Sequence, residues 1–365
     1  MILKYNFCMN VENKTGKIAL RIIWTMITSV MLLLLSGCGD DNKSFIDKGG
    51  DALEALDYGT AASMYDSAIQ AGEEAQLAYR GKGMALLGLS RYSEAEQMFL
   101  KALSESNGNI GGIEYDIAYY LAVSQAKAGK YDDAYDTYSA IIDLDEKAAD
   151  AYYLRGKVSL SQGDKNSALA DYDMAIALEP TDYDIYILIC KDLNGAGYET
   201  DGKAYIQRAM NTDYRKSEYQ KGVFNYYIGE YEKAKENFED SRGKRKDTTD
   251  LIVYLGKTYE ALGDYNYAAS LYTDYLTDNP DDPEVCLQLG LNKLTQCDYD
   301  GALLAFETGI ATENVEYMQT LKFNRIAAYE YKLEFKKAAV LMEEYLAEYP
   351  NDEEAEREYK FLKTR

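Results

Sequence analysis

YYLRGKVSLSQGDKNSALADYDMAIALEP, residues 152–180, is the stretch from which the fold is read. Tyr152, Gly156 and Ser159 stand at i, i+4 and i+7, one face of a first helix. Ala168, Tyr172 and Ala175 repeat that spacing on a second. Gly163 and Asp164 between them read as a turn, and Pro180 closes the pair. Gly156 and Ala168 are small, and two helices approach closely only where side chains are absent. The pattern predicts a helical hairpin, with Tyr172 packing into the hairpin beside it.

The same frame recurs along the chain. Ala61 has Gly49 twelve residues before it, with Tyr65 four and Ala68 seven residues after; Ala95 has Gly83, Phe99 and Ala102. It returns at Ala134, Ala168, Ala234, Ala268, Ala302 and Ala338, and Gly202 stands once in the alanine's place. Tyr58, Tyr92, Tyr131, Tyr231, Tyr265 and Tyr299 all precede the alanine by three. A recurrence of this kind predicts stacked units, each burying its apolar face on its neighbours.

This arrangement resembles the tetratricopeptide repeat. The unit around Ala268 carries the likeness best, in Leu255, Gly256, Tyr259, Gly263, Asp264, Tyr265, Tyr272 and Pro280; its neighbour carries Leu289, Gly290, Tyr299 and Phe306. The spacing is about 34 residues in most steps, the family period. The resemblance implies an all-α, right-handed solenoid of about nine helix-turn-helix repeats over residues 45–351. Residues 183–214 form the weakest unit: Cys190 and Ile206 replace the glycine and the aromatic, and Gly195, Gly197 and Gly202 weaken helix. They are expected to mark a weak repeat or bend. Residues 352–365 are expected to close the array with a polar capping helix.

The first 37 residues read differently. Lys14, Lys17 and Arg21 precede an apolar run from Ile22 to Leu35, the order of an export signal and too short for a membrane-spanning helix. Leu35, Ser36, Gly37 and Cys38 then resemble a bacterial lipobox. The resemblance implies a signal peptide over 1–37, acylation of Cys38 and a short linker over 38–44. The chain would then be lipid-anchored on the outer face of a bacterial membrane. The start is Met1 or Met9, and a start at Met9 leaves the charged region intact.

Composition narrows the chemistry. No histidine occurs, which removes the commonest general base and metal ligand. Net charge is −23, with +3 on residues 1–37, so the rest carries about −26. That argues against nucleic acid, which needs clustered Lys and Arg. Arg242, Lys244, Arg245 and Lys246 form one dense basic cluster and read as a loop. Cys190, Cys286 and Cys297 are no closed disulfide set; Cys190 and Cys286 read as small buried hydrophobes. Asp298 to Gly301 faintly suggests a calcium loop but lacks the later ligands. No catalytic motif, metal set or cofactor site is expected, and the chain reads as no enzyme.

Tyrosine, at 36 residues, is the outlier. In the family the first helices line a concave face where partners dock. The first-helix stripe taken as free of packing holds Tyr119, Tyr153, Tyr219 and Phe323 at one offset and Lys157, Lys191 and Lys257 at another. Tyr227 and Tyr254 lie beside these rows. Aromatic area with three lysines predicts a protein or peptide partner, one with acidic residues. The lysine row holds no asparagine, so the clamp some relatives use for a C-terminal carboxylate is not expected. The function implied is an anchored protein–protein interaction scaffold at the cell envelope. A lipoprotein capturing a glycan or small ligand, or assisting envelope or pilus assembly, is the alternative.

Overall fold

The computed structural model describes residues 43–365 except 107, 109, 245, 246 and 351. The signal peptide and Cys38 lie outside the described residues. The described chain forms nineteen α-helices and no strand. Contacts divide it into two units, residues up to Tyr205 and Ile206–Arg365, and the division falls within 183–214.

The N-terminal unit holds α1 (Phe45–Glu54), α2 (Tyr58–Ala71), α3 (Ala75–Gly88), α4 (Tyr92–Ser104), α5 (Gly112–Lys127), α6 (Tyr131–Leu144), α7 (Ala149–Ser161), α8 (Lys165–Leu178) and α9 (Tyr183–Gly195). Helix α10 (Glu199–Met210) carries the division. The C-terminal unit holds α11 (Glu218–Ile228), α12 (Tyr231–Arg242), α13 (Thr249–Ala261), α14 (Tyr265–Asp278), α15 (Pro283–Thr295), α16 (Tyr299–Ala311), α17 (Val315–Tyr331), α18 (Phe335–Glu348) and α19 (Glu353–Leu362). Odd and even helices pair as nine hairpins, and α19 follows them. No described helix is long and apolar enough to cross a membrane.

One turn design builds every hairpin. The residue five before the repeat's small residue takes positive φ. It is glycine in five hairpins, for instance Gly163 and Gly263. In the other four it is Leu56, Ser90, Cys297 or Leu333. Its N–H donates three residues back and the next N–H five back, as Leu333 does to Glu330 O and Glu334 to Tyr329 O, both at 2.9 Å. These bonds satisfy carbonyls left open at the helix end. Asp57, Asp164, Asp264 and Asp298 then cap the second helix, each carboxylate accepting a backbone N–H three residues on. The calcium-like stretch is therefore a helix cap: Asp298 accepts from Gly301 N at 3.0 Å.

The repeat frame is the core. Ala61, Ala95, Ala134, Ala168, Ala234, Ala268, Ala302 and Ala338 are all fully buried. The aromatic four residues later lies against its own hairpin as well as the neighbour. A Cβ built on Gly156 would stand 2.9 Å from the Tyr172 ring, one on Gly256 2.3 Å from Tyr272, and one on Gly290 2.2 Å from Phe306. The ring also reaches onward: Phe99 stacks on Tyr120 of the next hairpin at 5.6 Å, and Tyr172 meets Tyr205 edge-on at 6.3 Å. Where the frame departs, volumes compensate. Ile326 takes the glycine's place and Met342 the aromatic's, both buried in one cluster. A Cβ on Gly202 would meet Cys190 O at 3.0 Å and Asn194 Oδ1 more closely still, so glycine replaces alanine there. Cys190 and Cys286 are buried free thiols, and burial pushes them up to about 12 and about 11.

Helix α19 seals the last hairpin. Asp352 caps it, accepting from Glu354 N and Ala355 N, and also accepts from Tyr345 Oη at 2.6 Å. Ala355 and Leu362 are buried, and Phe361 meets Phe335 edge-on.

Candidate partner-binding surface

The residues singled out above fall into three places. In the N-terminal unit Tyr153 is fully buried, stacked on Tyr172 at 5.9 Å. This corrects the expectation that its stripe is free of packing. Its hydroxyl donates to Asp192 Oδ2 at 2.7 Å, and Lys157 Nζ lies 3.1 Å from the other oxygen of the same carboxylate. Burial, then Asp192, holds the Tyr153 hydroxyl well above its ordinary range. Tyr119 is half-buried, edge-on to Tyr138 at 6.3 Å, and burial and Asp150 push it up as well. Lys191 is half-buried and engaged within the chain.

In the C-terminal unit α11, α12 and α13 bring five tyrosines together. Tyr254, buried on α13, meets Tyr219 at 6.3 Å, Tyr226 at 5.6 Å and Tyr227 at 6.1 Å, all edge-on. It also stacks on Phe238 at 6.0 Å, and Tyr226 meets Tyr231 at 5.7 Å. The Tyr227 and Tyr254 hydroxyls share a hydrogen bond at 3.1 Å. Edge-on pairs set the positive rim of one ring on the negative face of another. Tyr254 is thus a floor rather than a free side chain, while Tyr219 and Tyr227 stay half-exposed above it. Burial holds the Tyr226 hydroxyl above its ordinary range, with Tyr254, Tyr231 and Glu260 adding to it.

Lys257 follows Tyr254 by one helical turn and faces Glu260 electrostatically. Burial raises the Glu260 carboxyl, against a hydrogen bond from Asn292 Nδ2 at 2.7 Å and the pull of Lys257. Lys157 is therefore paired with a carboxylate of the chain, and Lys191 and Lys257 are engaged within it. Phe323 stands apart in the last hairpin, edge-on to Tyr345 at 5.8 Å. In the basic cluster, Arg242 ends α12 and pairs with Asp247 at 3.0 Å. Arg245 and Lys246 lie outside the described residues.

Asp192, Tyr226, Glu260 and Asn292 take part in these arrangements and were not singled out from sequence. The adjacent pair Tyr226-Tyr227 was a usable signal. Asp192 gave none, since acidic residues are everywhere in this chain.

With the hairpins and these surfaces described, the comparisons agree on the class. The tetratricopeptide-repeat family pattern matches residues 46–110, 119–183 and 250–282. Over those residues the chain carries tetratricopeptide repeats, and the other described helices pair in the same hairpin frame. The crystal structure of yeast Tom70 is similar in fold, at 16% identity and TM-score 0.53, covering 86% of this chain and 69% of that one. A tetratricopeptide repeat protein from Parabacteroides merdae matches at 15% identity and TM-score 0.45, covering 70% of this chain and 98% of its own. A crystal structure of MamA matches at 19% identity and TM-score 0.39, over 52% of this chain and 93% of its own.

Proposed function

We propose that this protein is a protein–protein interaction scaffold whose docking surface is the tyrosine cluster on α11 and α13. Proteins of this repeat class are characteristically non-catalytic scaffolds. The observation that carries the reading is the group Tyr219, Tyr227 and Tyr254. It offers half-exposed aromatic area with hydroxyl tips over a fixed floor. Rigid aromatic side chains bury much area at little entropic cost, which makes them anchors for a partner. Since Lys157 is matched by Asp192, recognition in this reading rests on apolar insertion rather than on acidic residues in the partner.

Envelope location belongs to the same proposal. The order of basic residues, apolar run and Leu35-Ser36-Gly37-Cys38 supports export and acylation at Cys38. Two acyl chains on that residue would hold the protein on the outer face of the membrane. Metabolic labelling with an alkyne fatty acid tests the anchor: label on the wild type and none on Cys38→Ala supports it, and equal label on both refutes it. Crosslinking capture tests the surface. A partner recovered with the wild type and lost with Tyr219→Ala/Tyr227→Ala supports the reading, and unchanged recovery overturns it.

A further inference from the structure

In the C-terminal unit, polar side chains tie the first helices of successive hairpins together near their starts. At the first joint Thr249, which opens α13, donates from Oγ1 to Asp282 Oδ2 at 2.5 Å, and Tyr275 Oη of α14 joins Thr249 at 3.1 Å. At the second, Tyr317 Oη of α17 donates to Glu284 Oε2 of α15 at 2.7 Å. At the third, Gln319 Nε2 of α17 donates to Asp352 Oδ2 at 3.4 Å and to Tyr345 Oη of α18 at 3.0 Å, and Tyr345 Oη donates to the same Asp352 oxygen at 2.6 Å. The pairs Thr249–Asp282, Glu284–Tyr317 and Gln319–Asp352 are each 33 residues apart, so one tie recurs at three successive joints. Tyr317 and Tyr345 are buried, where a hydrogen bond to a carboxylate is stronger than in water. Burial, then Glu284, holds the Tyr317 hydroxyl above its ordinary range, so it remains a donor.

The ties are also linked to one another. Asp282 divides its carboxylate: Oδ2 holds α13, while Oδ1 accepts from Val285 N at 3.0 Å and caps α15. Asp352 does the same, with Oδ1 accepting from Glu354 N at 3.1 Å and Ala355 N at 3.0 Å at the start of α19. Glu284 follows Asp282 by two residues, and Gln319 follows Tyr317 by two. Opening the start of α15 or of α17 therefore breaks two ties, and losing Asp282 or Asp352 from its tie loosens the cap of the next helix. In an array whose units touch only their neighbours, an end ordinarily opens first and by itself. Helix α19, with Ala355 and Leu362 as its buried residues, is the element from which that is expected. We infer that the three ties form a strap that makes α13 to α19 open as one block rather than hairpin by hairpin from the end. The strap includes no residue of the tyrosine cluster and stands whether or not that cluster docks a partner.

The test is native-state hydrogen exchange of the purified protein, followed helix by helix in low denaturant. The expected wild-type result is one shared opening, with the slowest amides of α13, α15, α17 and α19 converging on the same rate. Tyr317→Phe keeps the ring and removes the middle tie. It should divide the block, with α17 and α19 exchanging roughly tenfold faster than α13 and α15, as loss of one hydrogen bond to a charged group does. Glu284→Ala removes the acceptor of the same bond and should divide the block at the same place. Tyr259→Phe removes a comparable bond outside the strap, to Glu239 Oε1 at 2.9 Å, and should leave the four helices together. Separate rates for α13 and α19 in the wild type, equal acceleration of all four helices in Tyr317→Phe and Glu284→Ala, or the same division in Tyr259→Phe would each overturn the strap.

Discussion

Replacing Gly290 by alanine places a methyl group where the Phe306 ring now lies, 2.2 Å from Cε1. No carbon pair tolerates that distance, so α15 and α16 must separate or the ring must turn. Overpacking of a filled core costs about 1–3 kcal/mol. Alanine returns roughly 0.8–1 kcal/mol of helix propensity. The net expectation is a loss of up to about 2 kcal/mol. Gly50 supplies the control: a Cβ there meets nothing closer than Tyr65 Oη at 4.0 Å. Gly50→Ala should therefore stabilise by roughly 0.5–1 kcal/mol. Combining Gly290→Ala with Phe306→Leu should cost less than the sum of the two changes, because the smaller side chain frees the space. Hydrogen exchange in α15 and α16 is the suitable assay, since repeat arrays need not unfold in one step. Equal stability of Gly290→Ala and Gly50→Ala would refute the close approach as the organising contact.

Three further outcomes follow from the same geometry. Leu333 holds φ +63 while 72% exposed, so Leu333→Gly should stabilise by up to about 1 kcal/mol in thermal unfolding, relieving a left-handed conformation at almost no loss of burial. Asp192→Ala strands the Tyr153 hydroxyl and Lys157 together and should cost about 2–3 kcal/mol, more than Lys157→Met, which removes a group 28% exposed. Burial and the neighbouring Glu358 raise Glu330 to about 8. The folded chain therefore holds the extra proton, and this contribution is full below about pH 4 and lost as pH rises through 8. Glu358→Gln should then raise the melting temperature at pH 9 and change it little at pH 5, a difference of about 1 kcal/mol after solvent screening.

The fold was legible because each hairpin repeats one steric requirement. A small residue on each of two helices and an aromatic four residues on leave little freedom in how the pair closes, and Gly156, Ala168 and Tyr172 occupy those roles as read. The aromatic meets the next hairpin as read; its contact with its own first helix was not read, since a spacing along one helix does not say how many neighbours a ring meets. The weak fifth unit was visible in Cys190 and Gly202. Its mutual adjustment was not, because it depends on the distance between two backbones. The surface was only partly legible. Offsets placed Tyr153 and Tyr219 in one row, yet Tyr153 is interior and Tyr219 is half-exposed. A first helix of a stacked hairpin is covered on more than one side, and periodicity alone does not tell how far the next hairpin overlaps it. Lys157 looked like part of an open positive row because Asp192, which pairs with it, sits at another position of the frame.

A photo-crosslinking residue placed at Tyr227 in the intact cell, with Met174 as an exposed reference position on α8, tests the docking surface most directly. The account predicts a discrete adduct with one protein from Tyr227 and none of that mass from Met174. The same adduct from both positions, or none from Tyr227, would contradict it.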